Sequence, residues 1–162
     1  MDTVISGTTT PLPINVQYID IRQSKYKNGG DLLMIFIDKI SEGNQCINLT
    51  VGDDAAIEIS MIDDDGNTYV MESNDYLIFT VREKASFDSP IMFEIQSLRG
   101  VNEITFSHDD TKDFEPGYYS AEIQLMTGNG KRITIWPKQT GAGKTSKDNR
   151  RNFCLMSEVV YQ

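Results

Sequence analysis

A chain of 162 residues with 39% hydrophobic content suits one domain with a real core and an arm to spare. Its net charge of −9 argues against nucleic-acid binding, which needs a basic surface. The longest apolar run, residues 32–37 (LLMIFI), is strand-sized and too short to cross a membrane.

Residues 1–13 lack the basic start and apolar centre of a signal peptide, so the expectation is a soluble product made in the cytoplasm. This threonine-rich stretch reads as an extended arm closed by Pro11 and Pro13. Residues 14–21 alternate loosely and suit a first strand. Residues 23–31 (QSKYKNGGD) read as a polar loop with a Gly-Gly breaker. Residues 32–40 read as a buried strand or a short helix, between which a continuous apolar run does not decide. Together residues 1–44 are expected to form an arm and extra strands that pack on, or extend from, a sandwich spanning residues 45–162.

From Cys46 the pattern sharpens. Ile47, Leu49 and Val51 alternate with polar residues, as do Ile57, Ile59 and Met61, then Leu77, Phe79 and Val81. Ile91, Phe93 and Ile95 follow, then Ile104 and Phe106. Turn residues separate these short runs, the pattern of an all-β sandwich. Cys46 and Cys154 fall in apparent strands and are expected to be free buried thiols rather than a disulfide.

The clearest unit is residues 114–137 (FEPGYYSAEIQLMTGNGKRITIWP). Glu115-Pro116-Gly117 is a turn, after which Tyr119, Ala121, Ile123 and Leu125 share one face of a central strand. Gly128-Asn129-Gly130 turns the chain, and Ile133 and Ile135 resume the apolar face, with Tyr118 and Trp136 placed opposite. Residues 138–152 (KQTGAGKTSKDNRRN) are polar and basic and read as a flexible surface loop. A closing strand is expected over residues 153–161, with Phe153, Leu155, Val159 and Tyr161 on one side.

Three motifs suggest chemistry and fail on inspection. Gly141-Ala142-Gly143-Lys144-Thr145 resembles a phosphate-binding loop, but the leading glycine position holds Lys138 and no helix follows. Asp63-Asp64-Asp65-Gly66 has part of a calcium-loop spacing, yet the first ligand position falls on Met61, so a hairpin turn explains it better. His108-Asp109-Asp110 with Asp113 holds the only histidine, too few ligands for zinc. It reads as a turn, with Asp109 or Asp110 capping a helical turn. No catalytic, cofactor-binding or metal-ligating residues are assigned.

Glu115-x-Gly117-x-Tyr119-x-Ala121 resembles the immunoglobulin-type corner that precedes strand F, although Ala121 stands where antibody domains carry a disulfide cysteine. Gly52-Asp53, the Asp63 to Asn67 turn, and the stretch from Gly117 to Ile135, with Glu158-Val159 as an ending, resemble immunoglobulin-like domains of tailed-phage virions. The N-terminal domains of baseplate upper proteins are similar, and the likeness covers roughly two-thirds of the chain.

The resemblance implies an all-β, two-sheet antiparallel immunoglobulin-like sandwich without a disulfide. It also implies a non-enzymatic structural protein of a bacteriophage virion (baseplate, tail or head-attached adaptor) without a cofactor. Its partners would be other virion proteins and copies of itself, not nucleic acid or membrane. Glu115, Gly117 and Tyr119 would form the structural corner. Met34, Phe36, Tyr118, Trp136, Lys144, Arg150 and Arg151 are the candidate interface residues. The alternative is a carbohydrate- or host-surface-binding module that stacks sugars on Trp136 or Tyr118.

Overall fold

A computed structural model describes residues 14–26, 32–41, 46–84, 89–137 and 152–157. They form two packed sheets, the expected all-β sandwich without a disulfide. The first sheet runs β2 (Leu32–Ser41), β1 (Ile14–Tyr26), β4 (Ala55–Asp63), β5 (Thr68–Tyr69), with β8 (Glu103–Phe106) also on β4. The second runs β3 (Ile47–Thr50), β11 (Phe153–Met156), β9 (Gly117–Met126), β6 (Tyr76–Arg82), β7 (Ile91–Gln96), with β10 (Arg132–Trp136) also on β9. Described pairings are antiparallel except β3 with β11, which is parallel and departs from the all-antiparallel expectation.

The alternating residues point where period two puts them. Ile57, Ile59, Leu77, Phe79, Val81, Ile104, Ile123 and Leu125 are fully buried between the sheets. Phe79 and Phe153 of the second sheet meet Phe106 of the first, Phe79 lying edge-on to Phe106 with ring centroids 5.3 Å apart. β7 sits at an edge, so Ile91 is half exposed while Phe93 and Ile95 pack against the core.

β1 explains why its alternation looks loose in sequence. A register shift between Val16 and Tyr18 changes the phase, so Ile14 and Val16 before it and Ile19 and Ile21 after it all reach the core. β1 thus lies in the first sheet between β2 and β4 and adds Ile14, Ile19 and Ile21 to the core. β1 also continues through Tyr26, where sequence suggested a loop from Gln23. Gln23 keeps the inward phase of Ile19 and Ile21 and is 4% exposed. Its amide crosses to the second sheet: Nε2 donates to Asn48 O (3.2 Å), and Oε1 accepts from Thr50 N–H (3.0 Å). The outer edge of β3 is thereby occupied by a side chain standing in for a strand.

β10 and β11 lie along the same side of β9. Trp136 stands opposite Ile123 and Phe153 opposite Tyr119. Between them the Asn152 amide pairs with both backbone groups of Ala121, accepting its N–H at 2.7 Å and donating to its carbonyl at 2.9 Å. Both strands run antiparallel to β9 along that side. Asn152, placed in the surface loop from sequence, is instead 8% exposed and closes this ladder.

Candidate functional site

The corner is built as its residue types suggest. Tyr119 lies two residues beyond Gly117 on β9, its ring against the core, and its hydroxyl donates to Glu115 O at 2.5 Å. Tyr118, one residue earlier, is 58% exposed, so the strand has the expected phase. Burial, then the Glu115 and Glu83 carboxylates, hold the Tyr119 phenol above its ordinary range. Tyr119→Phe should cost about 0.5–1.5 kcal/mol, the net value of one hydrogen bond, and Tyr118→Ala less, both read from urea midpoints. If Tyr118→Ala is the more damaging, the facing of β9 is reversed.

Trp136 is not a stacking platform. A register shift between Thr134 and Trp136 turns Ile135 and Trp136 inward together, and Trp136 is 8% exposed within the core. The sequence-based placement opposite Ile133 and Ile135 assumed uninterrupted alternation, and the bulge breaks it. Met34 and Phe36 lie on β2, in register with Lys25 and Gln23 of β1. Lys144, Arg150 and Arg151 lie outside the described residues, as does the Gly141 to Thr145 motif.

The acidic motifs are structural. Asp63 Oδ1 accepts from the N–H groups of Asp65 and Asn67, both at 2.9 Å, closing the β4–β5 turn. Ser107 starts a single helical turn, α1 (His108–Thr111), and Asp110 accepts from the Ser107 N–H at 2.7 Å. That turn clamps the β3–β4 connection. Thr111 Oγ1 accepts from Gly52 N–H at 2.8 Å, and His108 Nδ1 lies 2.6 Å from the Gly52 carbonyl. Gly52 has φ +78°, and a Cβ there would press on His108 at 3.2 Å, which explains glycine at this point. Among the described residues, no group of three or more His, Cys, Asp or Glu side chains is placed to hold a metal.

Sequence reasoning missed the hub of the opposite end, Asp75. It is 1% exposed. Its Oδ2 accepts from the Tyr69 hydroxyl (2.7 Å) and Glu72 N–H (2.9 Å), and its Oδ1 from Gly128 N–H (3.0 Å). Its own carbonyl accepts from Gly100 N–H at 2.7 Å. One residue thus joins three turns, two through its carboxylate and the third through its carbonyl. In sequence Asp75 looks like any turn aspartate, and nothing local marks it.

The thiols are not poised nucleophiles. Burial first, and Cys154 second, push Cys46 up to about 11; burial also raises Cys154, against a hydrogen bond from Tyr118. Both stay protonated at neutral pH. The buried polar groups named here hold backbone to backbone, which is scaffold chemistry. Among the described residues β2 ends the first sheet, and Val70, Ile91, Leu98, Val101, Tyr118 and Met156 are large exposed side chains. No protein-family model matches the chain, and no curated protein or solved structure matches it either.

Proposed function

We propose that this chain is a non-enzymatic structural protein of a bacteriophage virion, an immunoglobulin-like sandwich that works by assembling with other virion proteins and with itself. The observation that carries the assembly reading is β2. It ends the first sheet, bears the LLMIFI run, and has no strand on its far side among the described residues. An apolar sheet edge is a template for another chain. The immunoglobulin-like assignment is supported by the Tyr119–Glu115 corner, by β4 pairing with β8 and β6 with β9, and by the parallel β3–β11 closure. The virion assignment rests on the resemblance of the turn-and-strand stretches described above, which implies synthesis in the bacterial cytoplasm and residence in the particle.

The carbohydrate-binding alternative loses its main residue with Trp136 buried and retains exposed Tyr118. Sizing the full-length chain alone and mixed with the tail, neck and baseplate proteins encoded beside it decides between the two. Co-elution with one of them, without glycan binding, is the expected result. A monomer that binds glycans and none of those proteins contradicts the proposal.

A further inference from the structure

We infer that copies of this chain join by exchanging β11, each placing its Phe153–Met156 strand in the slot between β3 and β9 of a second copy. This rests on the assembly reading and names its partner.

The slot identifies its occupant. β11 is bonded on both sides, parallel to β3 and antiparallel to β9. It is the last described strand, so it leaves without taking another with it. Phe153 is fully buried among Phe79, Phe93 and Phe106, and Leu155 is buried beside it. The Asn152 amide takes both backbone groups of Ala121. The Asn152 carbonyl accepts from Ile47 N–H at 2.9 Å, and the Met156 carbonyl from Val51 N–H at 3.0 Å. A slot with this shape and these bonds fits one segment, and a second copy carries the same segment. Exchange preserves every contact of β11, so the balance between closed and exchanged forms lies in the connection and in the concentration of chains.

The connection is longer than the fold requires. Trp136 stands opposite Ile123 and Phe153 opposite Tyr119, four positions along β9 or about 14 Å, and β10 and β11 run in the same direction. About three extended residues would join them. The chain instead uses residues 137–152. Of these, the fourteen from 138 to 151 include one apolar residue, Ala142. Extended they reach about 46–50 Å, against a radius of gyration of about 15 Å for a domain of this length, so the slot of a neighbouring copy lies within range. They also carry five cations and one carboxylate, net +4, which leaves −13 on the rest of the chain. Two such connections crossing between two acidic bodies offset the repulsion of those bodies, which favours a second copy as the partner.

The chain's two cysteines report the exchange. Cys154 alternates with buried Phe153 and Leu155 and stands opposite Asn48. Cys46, two residues before Asn48, is therefore its diagonal neighbour, at about 7–8 Å between Cα atoms. Full-length copies carrying Cys46→Ser and Cys154→Ser are mixed at about millimolar concentration, the effective concentration of a short flexible connection, and treated with bis-maleimides of graded length. The mixture should give covalent dimers on a denaturing gel and neither variant alone should, because only exchange sets Cys154 of one copy beside Cys46 of the other. Deleting residues 140–149 from both variants leaves a connection that closes on its own slot and reaches no other, and should abolish these dimers. An unaltered chain bridged only within itself, with no dimer from the mixture, overturns the inference. So do mixed dimers that survive the deletion. Co-elution with a virion protein, in a chain that gives no mixed dimer, overturns exchange and leaves the assembly reading standing.

Discussion

Phe79→Ala is expected to lower the unfolding free energy by about 3–5 kcal/mol, the cost of removing a large aromatic and leaving a cavity in a packed core. The ring is fully buried on β6 and lies edge-on to Phe106 and Phe153, so its loss separates the two sheets at the point where they meet. For a chain of this size that corresponds to a fall in Tm of roughly 6–20 °C. The comparison is Leu98→Ala, 77% exposed in the turn after β7, which should stay within about 0.5 kcal/mol. Thermal and urea unfolding of the two variants check both figures. Equal, small effects would mean that Phe79 is not at the junction.

Asp75→Ala should be comparably damaging, about 3–5 kcal/mol, for a different reason. It leaves the Tyr69 hydroxyl and the N–H groups of Glu72 and Gly128 without their acceptor in a buried place. Asp75→Asn keeps one acceptor oxygen but turns an amide N–H₂ toward either Gly128 or the Tyr69–Glu72 pair, so it should fall between wild type and alanine, at about 1–3 kcal/mol. Amide exchange at Gly128 and Glu72 should quicken in both variants, which separates a lost hub from a general loosening.

Burial first, with the Asp75 bond and charge next, holds the Tyr69 phenol far above its ordinary value of 10.0. The phenol of the unfolded chain ionises first. The resulting stability is complete below pH 10 and lost as pH rises beyond it. Tyr69→Phe should flatten that alkaline fall.

Much of the sandwich was legible because buried strands obey period two. Ile57, Ile59, Leu77, Phe79, Ile123 and Leu125 could be placed inward from alternation alone, and the Tyr119 corner from the spacing to Gly117. Alternation fails wherever a bulge inserts a residue, and the misplacements follow from that. The shift at Val16/Tyr18 obscured β1, and the shift at Thr134/Trp136 sent Trp136 inward. The remaining misses are polar side chains doing backbone work. Gln23 could have been found, because it extends the inward series of Ile19 and Ile21. Asn152 and Asp75 could not, since their partners Ala121 and Gly128 lie far along the chain and only folding brings them together.

Of the candidate interface residues, Tyr118 is exposed, Trp136 is core, and Met34 and Phe36 lie on the edge strand. The proposed assembly uses a strand edge, where backbone groups give affinity and residue pattern gives register.

Amide hydrogen exchange on the full-length chain, followed residue by residue from dilute to concentrated solution, tests this most directly. Protection should rise with concentration over Leu32–Ser41, on the alternate N–H groups that β1 does not engage, while the loop ends at Val70 and Leu98 stay unchanged. Protection that instead appears at those loops or around Tyr118, or none at any concentration, would contradict the account.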